Sequence, residues 1–375
     1  MSPPIISDRA RLTDFAAALA DADGIALDTE FLRERTYRAQ LCLLQLAGSG
    51  EAQCVDPLAD LPLELLRPAL TRPGRQKILH AARQDLEVLW PVFGPLEDVY
   101  DTQIAAALAG LPAQVGYSDL VRRLLGIDLP KGQTRTDWSR RPLTDAQLHY
   151  AIDDVLHLPA LRDALDEQLD KLGRRGWLTE ELADLSRADR LFVDPGKAWE
   201  RLKWAGELDP DRLRLAQALA AWRENRAIDR DRPRSWILDD SGLRGIVLRV
   251  PRTPAELATV PDLTPGFVER SGEAVLAVID EARMPASLPP PSQRPRPDAE
   301  LQARAKRLGA VVQEQARSLA LASELLATRR DLEGIARGRP VHFVAYSNYL
   351  AFIARGEVRL FPAQSGGRGK PLAVL

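Results

Sequence analysis

Apolar and polar positions change rhythm along this chain. In the first part, short apolar runs alternate with stretches in which apolar side chains recur every third or fourth position. Ile25–Phe31, within GIALDTEF, reads as a central strand because Ile25–Leu27 is continuously apolar. Ala39–Ala47 (AQLCLLQLA) predicts a second strand ending at Gly48-Ser-Gly50, and Ala52–Val55 can pair with it. Leu63–Leu70 predicts a helix, Lys77–His80 a short buried strand and Asp85–Phe93 another helix. Val99–Asp101 begins a further extended segment, and Thr102–Ala109 is helical. Strands interleaved with helices, the first three close enough for hairpins, indicate an α/β layer domain with a mixed sheet.

From about Thr144 the spacing becomes helical throughout Asp145–Leu169 and continues in Leu178–Arg190. A second unit opens near Asp209-Pro210. Its first helix, Leu213–Ala227, ends before Asp229-Arg-Asp-Arg-Pro233, and Pro254–Val260 and Gly272–Arg283 add short helices. Met284–Pro297 (MPASLPPPSQRPRP) carries six prolines and no apolar period, the pattern of a stiff, exposed linker. A third helical unit runs from Asp298 through Arg330; residues 341–361 turn apolar and aromatic, and Gln364–Lys370 reads as disordered. The resulting division is 1–200, 205–285, a linker at 286–298, and 299–375, with the character changing after 338.

Composition adds limits. Of the 375 residues, 45% are apolar and 28% charged, values ordinary for soluble globular protein. The two cysteines, Cys42 and Cys54, lie in strand-like surroundings, which argues against a disulfide framework or a cysteine-rich zinc site. No basic leader precedes an apolar stretch at the N-terminus, and no run is long enough to span a bilayer. A cytoplasmic, membrane-free monomer is expected. Charge is uneven: Arg294–Leu375 holds 14 Lys/Arg against 7 Asp/Glu, so a basic tail follows an acidic body. That asymmetry suits a polyanion partner, although a solvated helix surface would look the same.

The chemistry lies in acids placed where a core should be apolar. Asp28 and Glu30 follow Ile25–Leu27, and period-2 geometry puts both on one face of the strand. Asp85 opens a helix, and Asp154 lies within another, one turn after Tyr150, so those two side chains share a face. Ionised carboxylates clustered beside a core are costly unless paired or bound to metal. Carboxylate oxygens suit Mg²⁺ or Mn²⁺, and two such ions can activate a water and stabilise the leaving oxygen of a phosphodiester. A tyrosine with an ordinary pKa of about 10 would orient that water or the phosphate rather than act as a base. Each residue has a bland alternative: a strand end in solvent for Asp28 and Glu30, a helix-dipole partner for Asp85.

Asp28-Thr-Glu30-Phe31, His80-Ala-Ala-Arg-Gln-Asp85-Leu86 and Tyr150-Ala-Ile-Asp-Asp154 together resemble the DEDD superfamily of 3′–5′ exonucleases, in its tyrosine-bearing subgroup. The longer strings LDTEFLRERTYRAQLCLLQLA, ILHAARQDLEVL and TRTDWSRRPLTDAQLHYAIDDVLHL are similar to the ribonuclease D family, over roughly residues 5–285. QALAAWRENRAIDRDRPRSWILDD and PRTPAELATVP resemble the helicase-and-RNase-D C-terminal (HRDC) domain, and SELLATRRDLEGIARG (Ser323–Gly338) fits the start of a second copy. The resemblance implies an α/β ribonuclease H-like exonuclease domain followed by two small all-α HRDC bundles. It further implies two divalent cations, Mg²⁺ or Mn²⁺, held by Asp28, Glu30, Asp85 and Asp154, and trimming of RNA 3′ ends, tRNA precursors foremost. The family spacing selects Asp154 over Asp153. After residue 338 the chain departs from the family, which usually ends in a tryptophan-containing helix; no Trp follows Trp236.

Around this centre, Thr29 and Phe31 could contact the terminal nucleotide. Lys131, Arg135 and Arg141, flanking Asp137-Trp138, could bind phosphate, against a purely solvated loop. His80 reads as a core residue rather than a base. Trp222 and Trp236 stand among Arg223, Arg226, Arg230, Arg232 and Arg234. They read as core residues of so small a bundle, with nucleic-acid contact the alternative. Two competing functions remain: a DNA 3′–5′ exonuclease, since contacts to a 2′-hydroxyl are not legible, and a non-catalytic RNA-binding scaffold, which would require one of the four acids to be missing.

Overall fold

The computed structural model describes residues 5–48, 52–130, 136–283 and 299–337, together with the backbone of two strands at 349–354 and 357–362. The chain falls into two compact units. The first takes Met1–Leu32, Leu41–Leu191 and the chain from Pro297 onward; the second takes Arg33–Gln40 and Phe192–Arg296.

In the first unit β1 (Ile5–Ile6), β2 (Gly24–Leu32), β3 (Gln40–Ala47), β4 (Ala52–Val55), β5 (Gln76–Leu79) and β6 (Val99–Asp101) form one sheet, ordered β1-β4-β3-β2-β5-β6. β4 runs antiparallel to β3 and parallel to β1, while β2, β5 and β6 run parallel. The mixed sheet expected from the alternation is therefore present. Its helices are α1 (Arg9–Ala20), α2 (Arg67–Leu70), α3 (Arg83–Phe93), α4 (Thr102–Leu108), α5 (Tyr117–Leu125), α6 (Asp145–Leu156), α7 (Leu158–Leu172), α8 (Arg175–Leu182) and α9 (Ala188–Leu191).

Alternation along β2 decides which helix meets which face. Ile25 and Leu27 pack with Leu12 and Leu19 of α1 and with Leu86 and Leu89 of α3. Ala26 packs the other way, with Ile78 of β5, Val155 of α6 and Leu158, Leu161 and Leu165 of α7. Helices α3 and α6 therefore cover opposite faces of the sheet, and an acid from each can meet beside β2 where its pairing with β5 stops, after Ala26.

The helical spacing over Asp145–Leu169 is carried by two helices, α6 and α7. Pro159 has no N–H to donate and its ring clashes with the preceding turn, so it occupies the start of a new helix, α7. At the break the Tyr117 hydroxyl donates to the Asp153 carbonyl (2.7 Å) and accepts from the His157 N–H (3.3 Å).

The second unit holds α10 (Pro210–Arg230), α11 (Arg234–Ile237), α12 (Asp240–Arg249), α13 (Pro254–Ala258) and α14 (Pro265–Arg283) around a core that includes Leu219, Leu243, Ile246, Leu257 and Ile279. Gly242 and Gly245 lie inside α12 for packing. A Cβ on Gly245 would come 2.8 Å from Val260 Cγ1, and one on Gly242 2.9 Å from Leu263 Cδ2. Trp222 meets the Phe267 ring edge-on at 6.5 Å. Trp236 is not the core residue expected: it is 58% exposed, because the four-residue α11 buries only Ile237. Arg33–Gln40 is fastened within this unit. The Tyr37 hydroxyl donates to Glu224, which is 1% exposed and ion-paired with Arg234 at 2.6 Å, and the Arg38 N–H donates to Asp231 at 2.9 Å.

Beyond the expected linker, Met284–Pro297, which lies outside the described residues, come α15 (Ala299–Ser318), α16 (Ser323–Leu326) and α17 (Arg329–Ala336). Leu308, Ile335 and Ala336 form their small core, while Leu321 joins the larger cluster containing Leu108 and Leu169. Past residue 338, where the sequence departs from the family, β7 (Tyr349–Ala354) and β8 (Glu357–Pro362) pair antiparallel. Their sequences, YLAFIA and EVRLFP, are rich in the aromatic and branched residues that favour strands.

Candidate active site

The C-terminal half of β2 sets the geometry. Asp28 and Glu30 continue the row begun by Ala26 and so point toward the α6 side. On α6, Val155 anchors in the core and the preceding residue, Asp154, faces those two acids. One carboxylate oxygen from each of Asp28, Glu30 and Asp154 lies within 4.8 Å of the others. Asp153, its neighbour, is outside that cluster.

Asp85 arrives from the opposite layer. It stands in the first turn of α3, where unpaired backbone N–H groups favour a negative charge, and is 6% exposed. Its carboxylate accepts a hydrogen bond from Thr29 Oγ1 at 2.5 Å. The turn that delivers α3 is held by Asp101, whose carboxylate accepts from the N–H groups of Ala81 (3.1 Å), Ala82 (2.8 Å), Gln103 (2.8 Å) and Ile104 (3.3 Å). Ala81 sits at φ 57°, a left-handed conformation costly for any residue with a Cβ, and the Asp101 bond to its N–H helps hold it there.

Tyr150 lies one turn before Asp154 and donates its hydroxyl hydrogen to that carboxylate. Its ring stacks on Trp138, centroids 6.1 Å apart and planes 29° apart, and Trp138 is 3% exposed. Trp138 is in turn tied through its carbonyl to Arg141 Nη1 (2.8 Å). The remaining Arg141 donors grip Asp56 through two hydrogen bonds, at 2.7 and 2.6 Å, and the Cys42 carbonyl at 2.7 Å. Arg141, expected to meet phosphate, is therefore committed to pinning the loop behind Tyr150.

The acids repel one another in a poorly solvated place. Burial first, and the charges of Asp85, Asp154 and Glu30 next, hold Asp28 well above the usual carboxylate range. Burial, followed by the Asp154 and Asp85 charges, pushes Glu30 up to about 8. Burial raises Asp85 to about 7 against the lowering effect of the Thr29 hydrogen bond, and Asp154 to about 7 against that of Tyr150. The phenol of Tyr150 is raised as well, by burial and then by Asp154, so it stays a donor. Among the described residues no Lys or Arg forms an ion pair with any of the four acids. An all-oxygen donor set with no internal counter-charge fits a hard divalent cation.

The other expected residues are placed as follows. Thr29 is 5% exposed, on the opposite face of β2 from Asp28 and Glu30, with its hydroxyl on Asp85. Phe31 is partly exposed two positions farther along. Lys131 and Arg135 lie outside the described residues. His80 is half-buried, with both ring nitrogens engaged: Nε2 meets the Val115 carbonyl at 3.0 Å, Nδ1 meets Thr102 Oγ1 at 2.9 Å, and burial lowers its pKa. Two contributors escape the sequence reading. Asp101, followed by the helix Thr102–Leu108, carries an N-cap signature that could have exposed it. Tyr117 carries no such signal.

Comparison with known proteins places this geometry. Residues 3–170 match the 3′–5′ exonuclease family and residues 212–279 the HRDC domain. The chain is 38% identical over 337 residues to ribonuclease D of Nitrobacter hamburgensis, covering 88% of both chains, and 39% identical over 347 residues to that of Jannaschia sp., covering 90% of this chain and 89% of the other. Its fold matches the crystal structure of Escherichia coli RNase D, an exoribonuclease involved in structured RNA processing. The TM-score is 0.79 at 29% identity, over 92% of this chain and 94% of that one.

Proposed function

The chain belongs to the ribonuclease D family, and on that premise we propose that Asp28, Glu30, Asp85, Asp154 and Tyr150 carry out its 3′–5′ exoribonuclease reaction. The observation that supports this assignment most directly is the meeting of Asp28, Glu30 and Asp154 within 4.8 Å, with no Lys or Arg among the described residues ion-paired to them.

The four acids would hold two divalent cations, Mg²⁺ or Mn²⁺. Bound there, such ions supply Lewis acidity that lowers the pKa of a water and neutralises charge on the phosphate. The protein's own contribution is arrangement. Asp28 and Glu30 present their oxygens from a central strand, and Asp154 presents its own from a helix anchored by Val155. Tyr150, kept neutral, offers one hydroxyl to orient the water or the scissile phosphate. Attack of water on the terminal phosphodiester breaks the bond to the penultimate 3′ oxygen and releases a nucleoside 5′-monophosphate.

We assign structured RNA with single-stranded 3′ tails as the substrate, tRNA precursors foremost, and the cytoplasm as its place of action, with the protein acting as a monomer. Phe31 would stack against the terminal base, while Lys131 and Arg135 would bind phosphate. The bundle at 205–285, and a second HRDC-like stretch from 299 onward, would hold the RNA body through their arginines. Incubation of the purified protein with Mg²⁺ and length-matched 3′-extended tRNA, single-stranded RNA and single-stranded DNA tests the reading. Mononucleotides should appear chiefly from the RNAs. Release chiefly from DNA would make it a DNA exonuclease, and release from none would make it a scaffold.

A further inference from the structure

The structure assigns Thr29 as a positioning residue: its hydroxyl, acting from the far side of the sheet, aims the Asp85 carboxylate at the proposed cation site. The argument begins with topology. Asp28, Glu30 and Asp154 share one side of the sheet with α6, whereas Asp85 belongs to α3 on the other side. Asp85 alone must reach across beside β2, beyond the stretch paired with β5, to join them, and it lies outside the tight three-acid group. A carboxylate that reaches from another layer has two χ angles to fix, and within its own helix only the Asp85 backbone N–H meets it. Its first-turn position supplies only backbone N–H groups below it.

Thr29 fills that gap. It lies between the two β2 acids, so the period-2 pleat turns it away from them and toward α3. There its Oγ1 donates to Asp85 Oδ1 at 2.5 Å, and both residues are buried, at 5% and 6% exposure. The Thr29 backbone N–H meets the same carboxylate, so one residue of β2 holds it through both main chain and side chain. Two further features mark the arrangement as directed. Thr29 is buried, and its hydroxyl is spent on Asp85. Asp101, with four N–H groups on one carboxylate, fixes the turn on which Asp85 is carried. Backbone and side chain of Asp85 are thus fixed by different residues, the first by Asp101 and the second by Thr29.

The inference rests on the proposed cation site, and the test separates the two. Thr29→Val keeps shape and volume and removes the hydroxyl; Thr29→Ser keeps the hydroxyl and removes the methyl group. Mn²⁺ binding is measured by calorimetry on the full-length protein without RNA, alongside the Mn²⁺ dependence of nucleotide release. Losing a hydrogen bond to a charged group should weaken Mn²⁺ binding by about tenfold in Thr29→Val and raise the half-saturating Mn²⁺ for turnover in parallel. At saturating Mn²⁺ the rate should recover most of the way, and Thr29→Ser should stay within about twofold of the wild type throughout. Wild-type Mn²⁺ affinity in Thr29→Val overturns the assignment, as does equal damage in both variants, which would make Thr29 a packing residue. Asp85→Asn serves as the reference: if it binds Mn²⁺ and turns over normally, the proposed cation site itself is wrong, whatever Thr29 does.

Discussion

Raising the pH of the metal-free protein from about 5 to about 8 should destabilise it, and Mg²⁺ should reverse the loss at the upper end only. Glu30 moves from an ordinary value of 4.5 to about 8, and Asp85 and Asp154 each move from 3.8 to about 7. In each case burial is the leading cause. An acid raised in this way keeps its proton in the folded state at a pH where the unfolded chain has released it. The folded state therefore binds more protons between about pH 4.5 and 8, and stability falls as pH climbs through that window. Below about pH 3 both states are protonated and these groups contribute no slope. Taken alone, the Glu30 shift corresponds to on the order of 5 kcal/mol. Glu30 keeps part of its surface in water, and the acids titrate as one coupled group, so a loss of a few kcal/mol is expected for the set rather than a sum. At about 2–4 °C per kcal/mol, the unfolding midpoint of the metal-free protein should fall by about 10 °C. Thermal unfolding followed by circular dichroism in EDTA and in millimolar Mg²⁺, at half-unit pH steps, measures both limbs. Cation binding displaces the protons, so the Mg²⁺ gain should be large at pH 8 and small at pH 5. A midpoint in EDTA that does not change with pH, or an Mg²⁺ gain equal at the two ends, would refute the reasoning that these acids wait for a cation.

Three further outcomes follow from single side chains. Tyr150→Phe should lower kcat by about 10²-fold while leaving Mn²⁺ affinity within about twofold, because the ring still stacks on Trp138 and only the hydroxyl is lost; steady-state kinetics beside calorimetry reads both. Arg141→Ala should act on stability, leaving Asp56 buried at 6% exposure without its partner; urea unfolding should show a loss of about 3 kcal/mol, with KM for RNA little changed. Asp101→Ala leaves several N–H groups in the Ala81–Ala82 and Gln103–Ile104 turns without an acceptor; a stability loss of about 2 kcal/mol or more should accompany a lower kcat, and hydrogen exchange should quicken at Ala81 and Ala82.

What was readable in the chain depended on whether the signal was local. β2 and its two acids were visible because an unbroken apolar run next to carboxylates at i and i+2 is a local contradiction. Tyr150 and Asp154 were visible because helical spacing stacks them. Helix α1 was missed because its alanine-rich sequence buries only Leu12 and Leu19, too few apolar markers to show a period. Helix α12 was missed because Gly242 and Gly245 look like a loop, although they are there to let Val260 and Leu263 approach. Arg141 read as a free phosphate ligand because its partner, Asp56, lies 85 positions earlier, beyond any spacing rule. Thr29 was placed beside the substrate for the same reason: its hydrogen bond crosses the sheet to a residue 56 positions away. Trp236 erred the other way, since composition cannot distinguish a tryptophan in a bundle core from one on a four-residue helix that faces water.

The central claim is that Asp28 and Asp154 serve the chemistry rather than RNA binding or folding. Its most direct test is Asp28→Ala and Asp154→Ala, assayed for release of 5′-mononucleotides from a 3′-tailed RNA in Mg²⁺, with RNA affinity measured on the same preparations. The account predicts a rate lower by at least about 10³-fold with an RNA dissociation constant within about threefold of wild type. Near-normal turnover in either variant would contradict it.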